Sequence, residues 1–173
     1  PRPLSPPGPI SSPQLSPGHP IAGKEKSGVD AASATLFDGH RTILTPLEVT
    51  ATDAVSAVKN MWEMVGAEVV FMDPSAHDEL LALTSHLPHA LAFLLVELLS
   101  QQNNSKECFN LSAGGFYDLT RVASGDPAMW RDIFLSNREF ILQRISEYSS
   151  ALDELADLIE RSDSSMLENM FAH

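Results

Sequence analysis

The stretch RTILTPLEVTATDAVSAVKNMWEMVGAEVVFM, residues 41–72, decides the fold of the first half of the chain. It opens with a β-branched run that proline ends, at Arg41–Thr45, and closes with an apolar run of strand length at Ala67–Met72. Between these runs, Thr50 and Asp53 resemble the capping box that begins a helix. Apolar residues then recur at helical spacing, at Ala51, Val55, Val58, Trp62 and Val65. The order strand, helix, strand predicts a crossover unit of a parallel sheet.

The pattern is helical from Asp73 onward. Asp73 as N-cap and Pro74 at the first helical position begin one helix, and Asp126 with Pro127 repeats the same signal further along. The apolar run Leu87–Leu99 predicts a second helix that is apolar on nearly all sides. It is shorter than the roughly 20 residues that span a bilayer, so we expect a buried helix and no membrane contact.

A heptad-like seam follows Pro127. Apolar residues alternate at intervals of four and three, at Ile141, Ile145, Tyr148, Leu152, Leu155 and Ile159. One helix over Pro127–Arg161 would be roughly 50 Å long, which exceeds the width of a small domain. A single chain of this size can hardly cover such a seam, so we predict a homodimer that forms through the helical part.

Charge and composition argue against some classes of protein. The formal net charge is −12, whereas binding to a nucleic-acid backbone needs clustered Lys and Arg, so we expect no nucleic-acid partner. Cys108 is the single cysteine, which favours a reducing compartment and a cytoplasmic location. The sequence does not begin with a basic region followed by an apolar stretch, which argues against a secretory signal.

Changes in composition divide the sequence into three segments. Residues 1–18 are rich in Pro and Ser, a composition that buries too little apolar surface to fold, so they are predicted to form a disordered arm. Residues 19–73 contain the strand–helix–strand unit, and residues 74–173 are helical. The predicted fold class is therefore mostly α.

Three short islands carry the candidate functional residues: GHPIAGKEKSG at 18–28, TSHLPHALAF at 84–93 and GGFYDLTRVASGDPAMWRDIF at 114–134. They place histidines, an arginine and a tryptophan in polar or turn-forming settings where a packed core has little use for them. These residues are His19, His86, His89, Arg121 and Trp130. Such a gathering is typical of a functional site.

In this order and at these separations, the islands resemble the prephenate (or arogenate) dehydrogenase family of tyrosine biosynthesis, from about residue 18 to about residue 161. The resemblance implies a helical domain that dimerises, preceded by a short strand–helix–strand remnant of a Rossmann-type nucleotide-binding domain. It also implies an enzyme that converts prephenate to 4-hydroxyphenylpyruvate, or arogenate to tyrosine, by oxidative decarboxylation with hydride transfer to NAD or NADP.

The glycine fingerprint that binds such a cofactor is absent from this sequence. The cofactor-binding residues therefore stay unassigned. The alternative is a catalytically silent, dimeric helical module that binds an aromatic acid or another dehydrogenase subunit.

Two residues carry the chemistry that the resemblance implies. His19 matches the family's catalytic histidine in the HPIAG motif, and an imidazole suits the removal of a hydroxyl proton because its unperturbed pKa lies near neutrality. Arg121 matches the arginine of a DFTR-like motif, here DLTR at 118–121, and a guanidinium can donate two parallel hydrogen bonds to a substrate carboxylate. The alternatives are that His19 only ends the disordered arm, and that Arg121 pairs with Asp118 on a helix face.

The resemblance assigns supporting roles to further residues. It implies that His89 is a polar contact to substrate and that His86 is structural, although histidines so spaced more often cap a kinked helix. No cysteine cluster or second histidine pair supports a metal site, so no metal is predicted. Glu25 belongs, in the family, to an ionic network near the site entrance, and a solvated pair with Lys26 is the alternative.

Gly114 and Trp130 complete the set of predicted site residues. Gly114 is expected to let the backbone approach the ligand closely, although a plain turn would also need glycine. The resemblance brings Trp130 from the partner subunit toward the pocket. An anchoring role in the core, at the first turn of the long helix, is the alternative and is compatible with the first.

Overall fold

The computed structural model describes residues 13–23 and 28–172. The chain divides into two compact units, Pro1–His77 and Asp78–His173, close to the boundary at residue 73 that the sequence predicts. The first unit contains a small sheet, and the second is helical. This agrees with the predicted mostly α fold class.

The sheet of the first unit has the strand order β1–β2–β3, with β1 at Gly18–Pro20, β2 at Arg41–Leu44 and β3 at Glu68–Phe71. β2 and β3 are parallel, and helix α1 (Thr52–Met64) connects them. The predicted strand–helix–strand crossover is therefore confirmed. β1 pairs with β2 in the antiparallel sense, and the sequence analysis did not predict this short strand.

The start of α1 differs from the predicted capping box. Ala51 is the N-cap, and no side chain caps the helix. The hydroxyl of Thr50 instead accepts a hydrogen bond from the Leu47 amide at 3.0 Å and donates one to the Leu15 carbonyl at 3.1 Å. The capping prediction was wrong because a segment 35 residues earlier in the chain binds this hydroxyl.

Residues 13–18 have a defined place, although the composition assigns them to a disordered arm. Ser16 is buried, the Thr45 amide donates to the Pro17 carbonyl at 3.0 Å, and the Ala51 amide donates to the Pro13 carbonyl at 2.8 Å. The predicted boundary at residue 18 therefore falls inside β1. Residues 1–12 lie outside the described part of the chain.

A continuous helical segment runs over Pro74–Ser100. It consists of α2 (Pro74–Leu81), a π-helical turn at Ala82–His86 and α3 (Leu87–Ser100). The expectation of two separate helices was wrong, because the π turn carries the helix into Pro88. A proline ring clashes with the carbonyl four residues earlier in a regular α-helix, and a wider turn just before it gives the ring room.

The segment Pro74–Ser100 is 27 residues long and has a mean hydropathy of 1.4 in its most apolar window, so it could cross a membrane by length and composition alone. About a third of that window, 33%, is buried within the chain, and the core helices of globular proteins pass the same test. The helix is thus longer than the apolar run from which no membrane contact was expected. It is also less buried than predicted, since Leu94 and Leu98 are exposed.

The rest of the second unit is helical. It contains α4 (Ser105–Leu111), α5 (Gly114–Thr120), a 3₁₀ turn (Arg121–Ser124), α6 (Pro127–Ser136), α7 (Arg138–Glu160) and α8 (Ser164–Phe171). α5, the 3₁₀ turn and α7 all pack against α3, and α8 packs against α7. α3 is therefore the centre of this unit.

The predicted single helix over Pro127–Arg161 is two helices. Asp126 caps α6 as predicted, and its carboxylate accepts from the amides of Ala128 and Met129. Asn137 separates α6 from α7 with φ −103° and ψ 33°. α7 alone has 23 residues and is about 35 Å long, so the expected length of the seam was too large.

Candidate functional site

His19 lies in the middle of β1, opposite Ile43 of β2. Backbone hydrogen bonds hold both ends of this strand. Gly18 allows β1 to lie close to β2, because a Cβ at residue 18 would be 2.7 Å from Cδ2 of Leu44. His19 is therefore held by an ordered strand, which contradicts the alternative that it only ends a disordered arm, and its side chain is exposed.

The imidazole of His19 is hydrogen-bonded to a second imidazole. Its Nδ1 lies 3.0 Å from Nε2 of His77, and the two rings meet edge to face with their centroids 5.3 Å apart. The atoms packed around the ring, and secondarily the positive charge that His77 can carry, lower the pKa of His19 below its usual value. A lowered pKa keeps this imidazole neutral near pH 7, the form that can accept a proton.

In the second unit, Asn137 joins the α6–α7 break to the π turn. Its Nδ2 donates to the Asp78 carbonyl at 2.7 Å and lies 3.1 Å from Nδ1 of His86. Asn137 and His86 are both buried. Because the amide nitrogen bonds a carbonyl, its second N–H points to His86, whose Nδ1 must accept. Neutral His86 therefore carries its proton on Nε2.

Replacing Asn137 with Ala is expected to lower the free energy of unfolding by about 1–3 kcal/mol, because the buried His86 ring and the partly buried Asp78 carbonyl lose the amide that bonds them. The free energy is measured by urea unfolding at one protein concentration. Asn110→Ala is the matched control, since Asn110 is an exposed residue of α4. Equal losses in the two variants would contradict the role given to the Asn137 amide.

His89 and Trp130 form a stacked pair. Their ring centroids are 3.7 Å apart and their planes are inclined by 24°. Nδ1 of His89 lies 2.8 Å from the Ser85 carbonyl, which can only accept, so Nδ1 carries a proton. In the neutral ring, Nε2 is then an acceptor, and in the cationic ring it is a donor.

Trp130 is buried in the first turn of α6. Besides His89, its indole contacts Phe93 and Phe134. Gly125 makes room for it, since a Cβ there would lie 2.6 Å from the indole Nε1. This position agrees with the anchoring role, and the role toward a partner's pocket stays a prediction.

The remaining predicted residues lie on α5 and near β1. Gly114 begins α5 and Arg121 begins the 3₁₀ turn that follows it, and both are exposed. The φ of Gly114 is not positive and a Cβ there would meet no atom within 4 Å, so no turn requires glycine at this position. Glu25 and Lys26 lie outside the described residues.

The structure thus brings the predicted residues together in part. His86, His89 and Trp130 converge in the second unit. Arg121 begins a turn that packs against α3, the helix that carries His89. His19 lies in the first unit, beside His77.

His77 and Asn137 are not among the residues that the sequence predicted. His77 lies 58 residues from its partner His19, and no periodicity reports a contact over such a separation. Asn137 gave a weak signal, because Ser136 and Asn137 interrupt the predicted helix with two residues of modest helix propensity.

An open apolar groove of about 660 Å³ lies in the second unit. Its walls are aromatic and aliphatic side chains of α3, α6 and α7, among them Phe93, Leu94, Trp130, Phe134, Leu142 and Ile145. Arg131 and Arg138 also line it. Trp130 therefore contacts His89 and also lines this groove.

The described residues do not offer a metal site. Over residues 13–23 and 28–172, no group of three or more His, Cys, Asp or Glu side chains could hold a metal ion. In the first unit, Asp53 lies in the first turn of α1 and the Asp73 carboxylate caps α2, so neither of these helix starts is an open anion site. These two helix starts therefore do not identify where the phosphates of a dinucleotide would bind.

Two family models match this sequence. The model described as prephenate dehydrogenase, nucleotide-binding domain, matches residues 9–71, and that described as prephenate dehydrogenase, dimerization domain, matches residues 73–173. The first match supports NAD as the cofactor of the family. The predicted family resemblance is confirmed.

Curated relatives agree with these models. The chain is 41% identical over 160 residues to prephenate dehydrogenase of Bacillus subtilis, covering 90% of this chain and 42% of the relative. It is 38% identical over 157 residues to cyclohexadienyl dehydrogenase of Zymomonas mobilis, covering 90% of this chain and 54% of the relative. The chain therefore spans about half the length of the curated relatives it matches.

Solved structures confirm the fold. The chain is similar to prephenate dehydrogenase of Aquifex aeolicus in complex with hydroxyphenyl propionate and NAD+, with a TM-score of 0.81 and 42% identity, over 90% of this chain and 55% of that one. It is also similar to Synechocystis arogenate dehydrogenase, with a TM-score of 0.78 and 28% identity, over 92% of this chain and 58% of that one.

Proposed function

The chain belongs to the prephenate dehydrogenase family, and we propose that it takes part in the oxidative decarboxylation of prephenate, or of arogenate, with NAD or NADP as the hydride acceptor. The observation that carries this proposal is the HPIAG histidine, which is exposed, held by an ordered strand and has a lowered pKa. A general base needs this combination of accessibility, fixed position and neutral form.

The part of His19 in this reaction is the removal of a proton. Prephenate carries a hydroxyl on the ring carbon that becomes oxidised. The hydroxyl proton moves to a ring nitrogen of His19, the hydride leaves the same carbon, and carbon dioxide leaves as the ring becomes aromatic. The nicotinamide, when bound, supplies the site that accepts the hydride.

Arg121 and His89 serve substrate binding in this proposal. An acidic chain with a net charge of −12 needs a dedicated cation for a dicarboxylate substrate, and Arg121 is an exposed guanidinium in the DLTR motif. His89 has its Nδ1 engaged by a backbone carbonyl, so its Nε2 is the nitrogen that would contact the substrate. The open space above Gly114 fits the close approach of a ligand to the backbone.

The proposal is tested by mixing the purified chain with prephenate and NAD+ and following the absorbance of the reduced nicotinamide. A steady rise in absorbance that requires both prephenate and NAD+ supports the proposal. The second candidate is the silent dimeric module, which the match of residues 73–173 to a dimerization domain favours. That module would bind hydroxyphenyl propionate, the ligand of the Aquifex aeolicus enzyme, and show no absorbance growth.

Arg121→Lys is expected to weaken the binding of hydroxyphenyl propionate about 10- to 100-fold, because an ammonium keeps the charge but cannot donate two parallel hydrogen bonds to a carboxylate. Isothermal titration of the chain gives the dissociation constants. Arg161→Lys is the control, since Arg161 is an exposed arginine that pairs with Asp157 at the end of α7. Unchanged binding by the Arg121 variant would refute a carboxylate contact.

We also infer a homodimer that closes the apolar groove with a second copy of this chain. Residues 73–173 match a domain described as a dimerization domain. The groove and the neighbouring faces of α3 and α7 leave large apolar side chains exposed, including Leu94 at 57%, Leu98 at 60% and Leu152 at 49%. Large exposed apolar side chains beside an open apolar groove indicate an interaction site.

Leu142→Glu is expected to convert the dimer to a monomer at micromolar concentration, because it places a charge in the apolar groove. Sedimentation velocity measures the change. Leu142 is half exposed in the single chain, at 51%, so the substitution spares the fold of the monomer. Leu111→Glu, on α4 and outside the groove, is the control. A wild-type chain that sediments as a monomer would remove the proposal.

A further inference from the structure

The hydrogen bond between His19 and His77 assigns a role to a residue that was not among the site residues predicted from the sequence. The two rings belong to the same compact unit, and the 3.0 Å distance joins Nδ1 of one ring to Nε2 of the other. An N–H···N bond has one donor and one acceptor, so this contact couples the tautomers of the two rings.

Both rings are held by ordered backbone. His19 is in β1, whose register on β2 is fixed. His77 is in the first turn of α2, where the Asp73 carboxylate caps the amides of Ser75 and Ala76 and the Asp73 carbonyl accepts from the His77 amide at 2.9 Å. α2 follows β3 directly, and β3 pairs with β2. The sheet and the capped helix thus fix both partners of the contact.

We propose that His77 is a positioning residue, which accepts the Nδ1 proton of His19, holds that ring in its Nδ1–H tautomer and leaves Nε2 as the atom that receives the substrate proton. This inference rests on the proposed function, because only a base needs a bare Nε2. With the opposite polarity, His77 would donate, and the neutral His19 ring would carry its proton on Nε2. That ring could donate to a hydroxyl but could not remove its proton.

Which ring donates in the His19–His77 hydrogen bond also matters after proton transfer. In the proposed arrangement, the substrate proton arrives at Nε2 of His19 and the imidazolium keeps its Nδ1–H bond to neutral His77. The acceptor nitrogen of His77 then faces the positively charged His19 ring. It stabilises this imidazolium, as a carboxylate does in hydrolase triads. Neutral His77 stabilises the His19 cation less than a carboxylate would. For the same reason it does not favour protonation of His19 before the substrate binds.

The experiment compares His77→Leu with His77→Gln, using the whole chain. Glutamine offers a carbonyl oxygen that can replace the imidazole acceptor, whereas leucine offers none. Long-range ¹H–¹⁵N correlation spectra at about pH 8, above the usual histidine pKa, report which ring nitrogen of His19 is protonated. His40→Gln is the matched control, because His40 is an exposed histidine of the same unit.

The Nδ1–H form of His19 is expected to predominate in the wild type, in His77→Gln and in His40→Gln. In His77→Leu, the ratio of the Nδ1–H to the Nε2–H form is expected to fall about fivefold, the factor that corresponds to one hydrogen bond. A wild-type His19 protonated on Nε2, or an unchanged ratio in His77→Leu, overturns the proposal.

A direct measurement covers the case in which the leucine variant fails to fold. Scalar coupling between Nδ1 of His19 and Nε2 of His77 in the wild-type chain, with the proton assigned to Nδ1, supports the inference, and the proton assigned to His77 Nε2 refutes it. Neither measurement needs turnover. Absent dehydrogenase activity would therefore count against the proposed function alone, while the state of the His19 ring is still decided.

Discussion

Replacing His19 with Asn is expected to lower kcat by about 10²–10⁴-fold and to leave KM for prephenate nearly unchanged. An amide cannot take a proton near neutral pH, but it is polar and no larger than the imidazole, so the neighbouring side chains are not displaced. The rate is measured as reduced-nicotinamide absorbance with prephenate and NAD+. If the chain alone shows no rate, it is joined to the part of the Bacillus subtilis relative that it does not match, since it covers 42% of that relative.

The matched control for this substitution is His40→Asn. His40 is an exposed histidine of the same unit, so its replacement removes the same side chain without touching the base. If His19→Asn has the same kcat as His40→Asn, His19 is not the catalytic base. A variant with unchanged kcat and a raised KM would instead make His19 a binding residue.

The pH dependence of the rate tests the same assignment. A base works in its neutral form, so kcat/KM is expected to fall as the pH drops through the pKa of His19. The atoms packed around part of the ring and the neighbouring His77 lower that pKa, so the acid limb is expected below the usual histidine pKa of about 6.5. An acid limb above this value would contradict the environment that the structure gives to the ring.

Local signals predicted much of the fold. The β-branched run at Arg41–Thr45 and the caps at Asp73 and Asp126 act over a few residues, and the structure has β2, α2 and α6 where these signals occur. The failed predictions share a different cause. The hydroxyl of Thr50 bonds the Leu15 carbonyl and the amide of Asn137 bonds the Asp78 carbonyl, and contacts between distant segments override local propensity.

The candidate site follows the same division. Motif letters identified His19, His89 and Arg121, because each is the chemically distinctive residue of its island. The partners that set protonation, His77 for His19 and Asn137 for His86, are not distinctive in sequence. They can be recognised only from the fold, which places them at hydrogen-bonding distance. The tautomer of a histidine depends on its neighbour in space, and the local sequence does not report that neighbour.

Trp130→Ala is expected to lower the free energy of unfolding by about 3–5 kcal/mol, the cost of removing a large aromatic side chain from a packed site. Trp130 is only 7% exposed, and the cavity would remove the stacking surface of His89 together with the contacts to Phe93 and Phe134. The change is measured by urea unfolding followed by circular dichroism, at one protein concentration because dimerisation would add to the apparent stability.

Trp130→Phe separates packing from the stack on His89. Phenylalanine fills most of the same space and restores much of the lost stability, but its smaller ring cannot cover the imidazole as the indole does. If the stack orients His89 for substrate, the Phe variant is expected to bind hydroxyphenyl propionate more weakly than the wild type. Its free energy of unfolding is expected to stay close to that of the wild type. Full binding by a stable Phe variant would leave Trp130 as a core anchor that also forms one wall of the groove. A loss of stability by the Ala variant no larger than about 1 kcal/mol, the typical effect of a point substitution, would contradict even the anchoring role.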